Sequence, residues 1–239
     1  MSWTPQKRFW TDVAVTEAEG GFAVALDGRP LRTPAKAALV LPNRPLAEAI
    51  AAEWDAQEGD LRPDLMPLTK AGNSAIDKVV PNHAAVVDMV AGYGGTDLLC
   101  YREPHVAALI ARQRDAWDPW LDWAAERYGV RLSLVAGVMH ADQPQAALEV
   151  LRSEVAGFAP FALTGLHDLV TLSGSLILGL AVAEGALAAD QAWEVSRLDE
   201  LWQEEAWGTD DEAQALSDQR RAAFLTAAQI LDLLEGTRA

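Results

Sequence analysis

Cysteine is nearly absent: Cys100 is the single one in 239 residues. That excludes an internal disulfide framework and a thiolate metal cluster. Positive charge is scarce as well. Lys plus Arg number 19 against 35 Asp plus Glu, a formal net charge of −16 with a pI near 4.5. Such a chain suits neither the phosphates of nucleic acid nor an anionic membrane surface. Long hydrophobic runs are missing. The longest, Leu169 to Ala183, is interrupted by Thr171, Ser173, Gly174, Ser175 and Gly179. It falls short of the roughly 20 residues of a membrane span and reads as a buried core helix. Met1-Ser2-Trp3-Thr4-Pro5 shows neither a signal-peptide apolar region nor an Arg/Ser-rich transit stretch, so a cytoplasmic location is expected.

Compact catalytic signatures are also lacking. There is no G-x-x-x-x-G-K-[ST] phosphate loop, no G-x-S-x-G nucleophile elbow and no H-E-x-x-H. Gly92-Tyr93-Gly94-Gly95 lacks dinucleotide-site spacing and reads as a turn. His83, His105, His140 and His167 never pair at i+3 or i+4, so no metal is expected. Cys100 sits in an apolar run and reads as a small buried hydrophobe. No cofactor is implied. A hydrolase or transferase using dispersed carboxylates with His140 or His167 is the enzymatic alternative.

What is present describes an ordinary folded protein. Half the residues are apolar, and the length allows one large domain or two small ones. The first forty residues read as β. Phe9 to Thr16 partly alternates, Glu19-Gly20-Gly21 marks a turn, and Phe22 to Leu26 leads into Asp27-Gly28-Arg29-Pro30, a strong hairpin signal. Ala38 to Leu41 adds a short strand. Asn43 then suits a helix N-cap and Pro45 its first turn. Leu46, Ile50 and Trp54 recur at i, i+4, i+8 and form the expected core stripe of a helix ending at Gly59. If Trp54 is core, its loss costs about 3–5 kcal/mol. Helix follows over 68–80, 82–91, 106–128, 144–156, 162–184, 188–207 and 210–234, with a short strand at 131–135. The fold class is α+β: a small N-terminal antiparallel β-sheet built from hairpins, then a larger, mostly α-helical part. The expected domains are 1–80, β-rich with the first helices, and 81–239, α-helical.

Nine tryptophans stand out. Trp117, Trp120 and Trp123 follow at three-residue steps, whereas Trp193, Trp202 and Trp207 lie in an acidic stretch. From Asp190 to Asp218 there are ten acids and one base, Arg197. Tryptophan is both a core residue and a preferred interface anchor. The stretch reads either as a solvated helix face or as a docking surface.

Several stretches taken in order resemble a known family. They are Lys7-Arg8-Phe9-Trp10; Val24 through Pro34; Leu46 through Gln57; Met66-Pro67-Leu68-Thr69; and Ala75-Ile76-Asp77. Thr96 through Arg102 follows, then Gln113 with Trp117-Asp118-Pro119, Gly174-Ser175, and Ser196 through Gly208. The series resembles the assembly chaperones of the F-type ATP synthase catalytic head that act on its alpha subunit. Eukaryotic members resemble Leu-Glu-Glu-Glu-Tyr-Gln where this chain has Leu198-Asp199-Glu200-Leu201-Trp202-Gln203. The resemblance implies a non-enzymatic chaperone that holds the free alpha subunit until the beta subunit replaces it. Asp199, Glu200, Trp202 and Glu204 are the client-binding candidates, with a solvated helix as their alternative. Arg29 and Arg32, beside the hairpin turn, either pair with local acids or contact the client. A stable accessory subunit of the synthase is a further alternative.

Overall fold

Asp27 and Gly28 take φ of +47° and +77°. Two positive φ values in a two-residue loop match the twist of the flanking strands. The loop joins β2 (Gly21–Leu26) to β3 (Arg29–Pro30). β1 (Val13–Ala18) pairs antiparallel along all of β2, from Val13↔Leu26 to Ala18↔Gly21. β4 (Val40–Leu41) pairs with β2 at Phe22↔Leu41 and Ala23↔Val40. β2 is therefore the central strand, and Ala23, Val24, Ala25 and Leu26 are all buried. Gly21 is obligatory here: at φ +155° a Cβ would stand 2.1 Å from the Leu41 carbonyl oxygen. The first strand begins at Val13 rather than Phe9. The backbone N–H groups of Thr11 and Asp12 donate instead to the Asp27 carboxylate, at 3.0 and 2.8 Å.

The computed structural model describes residues 7–234. The reading of Met1 to Pro5 lies outside them. By contact, the described chain divides into one unit of residues 7–83, 159–165 and 229–234, and another of 84–158 and 166–228.

In the first unit, α1 (Arg44–Asp55) starts where Asn43 predicts, its side chain accepting from Leu46 N–H at 3.2 Å. It ends four residues before Gly59. The Arg8 guanidinium takes the carbonyls of Asp55 and Gln57, at 2.5 and 2.8 Å, and so satisfies helix-end acceptors. Leu46 and Ile50 are buried; Trp54 is half-buried. α2 (Pro67–Ser74) has no cap of its own. Glu53, on α1, supplies one: its carboxylate accepts from the N–H of Leu68 and of Thr69 and from the Thr69 hydroxyl, at 2.6 to 2.8 Å. Burial pushes the Glu53 carboxyl above its usual range, against those hydrogen bonds. The helix then widens into a π-turn, Ala75–Val79, before Pro81. Leu39, Leu41 and Ile50 close over Gly72, each about 3.5 Å from where its Cβ would be.

The second unit holds α3 (His83–Gly92, its first residue belonging to the first unit), α4 (Ala107–Tyr128) and α5 (Gln145–Ala156). The strand expected at 131–135 shrinks to β6 (Val135–Ala136), which pairs in parallel with β5 (Tyr101–Arg102). The single helix expected over 162–184 is two: α6 (Pro160–Ser173), whose residues serve both units, and α7 (Leu176–Ala183). Gly174, at φ +73°, leaves the helical region, and Ser175 caps α7 by accepting from Leu178 N–H at 3.0 Å. Asp97, wholly buried, also holds the α7 start, accepting from Leu99 and Ile177 N–H at 3.0 Å each. The run expected over 188–207 likewise breaks at Arg197 into α8 (Ala189–Ser196) and α9 (Leu198–Trp207). α10 (Asp211–Leu233) follows, its last residues belonging to the first unit. There the Asn43 amide donates to the Leu233 carbonyl at 2.7 Å. Trp117, Phe158, Leu166, Leu169, Ile177 and Phe224 are fully buried in the second-unit core.

Candidate functional site

The break at Arg197 decides how the acidic stretch is presented. α9 begins afresh at Leu198, with Asp199 and Glu200 in its first turn. Carboxylates there favour the positive end of the helix dipole. Leu198 is buried and anchors the helix, while Gly208, at φ +87°, ends it.

The four candidates on α9 have unlike surroundings. Asp199 is half-buried, and Gln113 Nε2 donates to its Oδ1 at 2.8 Å. Burial raises the Asp199 carboxyl above its usual value; the Gln113 bond opposes this, Glu103 adds to it, and Arg102 lowers it. Gln113 is itself buried and accepts from Glu103 N–H at 2.8 Å. Asp199 therefore braces α9 against α4. Glu200 is exposed and Glu204 half-buried; Arg197 reaches both, at 3.3 and 3.4 Å. Trp202 is half-buried, and the Arg112 guanidinium lies 5.9 Å from its ring centre. Arg112 also makes a bidentate pair with Glu205 at 2.7 and 2.8 Å, which lowers the Glu205 carboxyl.

Glu200 and Glu204 open onto a groove of about 370 Å³ between α9 and α10. Trp207 and Leu216 line it and are 82% and 55% exposed. Arg197, Asp210 and Arg220 complete its charged edge. The groove thus offers two apolar side chains within a mixed rim of three carboxylates and two guanidinium groups. Asp199 and Trp202 do not line it. Sequence reasoning found the acids and tryptophans but not Leu216, which local periodicity marks no differently from a core leucine. It also could not pair Asp199 with Gln113, 86 positions away.

Arg29 and Arg32 are exposed. Arg32 donates to the Lys36 carbonyl at 2.8 Å, and Arg29 lies close enough to Asp27 to help lower that carboxyl. Cys100 is buried, its thiol pushed up to about 12 mainly by desolvation. His140 lies beside the Tyr101 hydroxyl and Asp142, and His167 beside Asp168. Among the described residues no group of three or more His, Cys, Asp or Glu is placed to hold a metal ion. No described helix is long and apolar enough to cross a membrane.

Three comparisons bear on this architecture. The family described as ATP12 chaperone protein matches residues 7–125. The crystal structure of Atp12 from Paracoccus denitrificans superposes with a TM-score of 0.93 at 49% identity, over 96% of this chain and 98% of that one. A mutant of P. denitrificans Atp12p does the same at 48% identity, with a TM-score of 0.93 and the same coverage. The mitochondrial atp12 protein of Schizosaccharomyces pombe is 24% identical over 237 residues, 94% of this chain and 81% of the relative. The chain belongs to the ATP12 chaperone family.

Proposed function

We propose that this protein is an assembly chaperone that binds the free alpha subunit of the F-type ATP synthase head and prevents its aggregation before beta arrives. One observation carries the reading: similarity to Atp12 runs over nearly the whole of both chains, at 49% identity. The protein acts without catalysis, metal or cofactor, in the bacterial cytoplasm, and inserts into no membrane.

The chemistry of the groove between α9 and α10 supports the reading. An unassembled subunit exposes apolar faces that its neighbours later cover, and such faces aggregate. A temporary partner must cover them and still leave. A moderate interface, with a few aromatic or aliphatic anchors inside a polar rim, meets both needs. Trp207 and Leu216 supply anchors and Glu200 and Glu204 supply rim. Asp199 and Trp202 hold α9 in position through Gln113 and Arg112. The test is co-purification of the tagged chain from cells, with identification of the retained protein. Alpha subunit recovered without beta is the expected result. Absence of alpha, or stoichiometric recovery in the finished synthase, overturns it.

A further inference from the structure

A second groove, of about 490 Å³, lies wholly in the first unit. Trp54, Leu61, Pro63 and Met66 give it an apolar floor. Two other features set it apart from an ordinary surface dent.

The first is unmet hydrogen bonding. Trp54 and Asn73 both line the groove. The Trp54 indole Nε1 and the Asn73 Oδ1 are buried, and neither has a hydrogen-bond partner. Buried donors and acceptors are nearly always paired in folded proteins. Here the two side chains that carry an unpaired donor and an unpaired acceptor line a single cavity, with the two atoms themselves just beneath its surface. Rotation of either side chain brings its unpaired atom to the groove surface, where a peptide group offers the complementary pair: a carbonyl for the indole N–H and an N–H for the amide oxygen.

The second is charge. The chain carries a net charge of −16, and only four of its residues are lysine. Two of them, Lys70 and Lys78, line this groove and are exposed. Neither has an ion-pair partner among the described residues. Asp77 is the single carboxylate in the lining, and both its oxygens are engaged. They accept from the Thr33 hydroxyl at 2.6 Å and from Ala35 N–H at 3.1 Å. The two ammonium groups are therefore available to an incoming anion. Charge complementarity selects an acidic partner at this place on an otherwise acidic protein.

We propose that this groove is a docking site for an extended segment of a partner polypeptide that presents a bulky apolar side chain beside an acidic residue. The apolar side chain fills the space over Trp54 and Met66. The segment's backbone satisfies Trp54 and Asn73, and its carboxylate pairs with Lys70 or Lys78. The proposal rests on the reading of the protein as a polypeptide-binding chaperone and adds a contact surface distinct from the α9–α10 groove.

The test uses the full chain and no ATP synthase subunit, so its failure is separate from failure of that reading. The probe is the peptide acetyl-Glu-Leu-Phe-Glu-Gly-amide, with acetyl-Lys-Leu-Phe-Lys-Gly-amide as its charge-reversed control. The readout is the indole N–H resonance of Trp54, assigned by its disappearance in Trp54→Phe. The acidic peptide is expected to shift that resonance saturably. Lys70→Glu combined with Lys78→Glu, both at exposed positions, is expected to raise the dissociation constant at least tenfold while leaving the melting temperature unchanged. The basic peptide is expected to bind at least tenfold more weakly to the unsubstituted protein. No saturable shift, an equal shift by the basic peptide, or indifference to the lysine reversals overturns the proposal. A shift that appears on concentrating the protein alone assigns the groove to a second copy and overturns it too.

Discussion

Asp199 and Glu200 are adjacent carboxylates on one helix, yet their loss should act on different properties. Glu200→Lys removes one contact, with Arg197 at 3.3 Å, from a side chain that is half exposed. Exposed pairs contribute about 0–1 kcal/mol, and Arg197 keeps Glu204 at 3.4 Å. Replacing a first-turn carboxylate by a cation adds a helix-dipole cost, so stability should fall by no more than about 1 kcal/mol. Asp199→Ala removes a hydrogen bond of 2.8 Å and leaves Gln113 Nε2 unpaired on a residue only 2% exposed. That costs about 1–3 kcal/mol. The ionised Asp199 is itself disfavoured by burial, which draws the value toward the lower half of that range. For a chain of this length, each kcal/mol lowers Tm by about 2–4 °C. Asp199→Ala should therefore melt roughly 2–8 °C early. Binding should divide the other way. Glu200→Lys places a cation on the rim and should weaken alpha-subunit binding about tenfold or more, equal to at least about 1.4 kcal/mol. Asp199→Ala should weaken it less, through looser seating of α9. Thermal unfolding and titration against purified alpha subunit measure both. If Glu200→Lys binds like the unsubstituted protein, the helix is a solvated face. If it melts as early as Asp199→Ala, the division of roles is wrong.

Gly21→Ala should destabilise by about 3 kcal/mol, because its Cβ meets the backbone carbonyl oxygen of Leu41 at 2.1 Å and no side-chain rotation relieves it. Chemical denaturation measures this, and an unchanged midpoint refutes it. Trp54→Ala should cost about 2 kcal/mol, below the roughly 3–5 kcal/mol of a buried tryptophan, since the ring is half-buried and packs edge-on against Trp10 at 5.2 Å. A loss above about 4 kcal/mol by urea denaturation would place the ring fully in the core. Asp97 is raised from 3.8 to about 6, chiefly by burial. The folded state thus holds its proton more tightly than the unfolded state. This contribution is fully present below about pH 3.8 and is lost as pH rises to about 6. Asp97→Asn removes that dependence while losing an acceptor for a backbone N–H. Relative to the variant, the unsubstituted protein should lose about 1.4 kcal/mol between pH 5.0 and 7.5. A constant difference between the two across that range contradicts the assignment.

Local chemistry made much of the fold legible. Asp27-Gly28 specifies its own turn, and Asn43 specifies the start of α1 by accepting from Leu46 N–H. The breaks at Gly174 and Arg197 were harder to read. An apolar run with a small-residue triplet also fits close helix packing; Gly174 and the Ser175 cap make the break locally, and the buried Asp97, 80 positions from Ile177, adds a long-range acceptor at the new helix start. Long-range polar contacts explain other departures in the same way. Arg8 ends α1 early by taking carbonyls 47 and 49 positions away, and Asp27 diverts the N–H groups that would have begun β1. At the candidate site, composition revealed the acids of α9, because charge density is a local property. The division between Asp199 and Glu200 depends on Gln113, which no local pattern connects to them.

The proposed function requires capture of unassembled alpha subunit. The most direct measurement is a pull-down with the immobilised protein against three separate targets: alpha subunit, beta subunit and the assembled head. Retention of alpha alone, reduced by Glu200→Lys, is the predicted result. Equal retention of beta, or no retention of alpha, contradicts the claim.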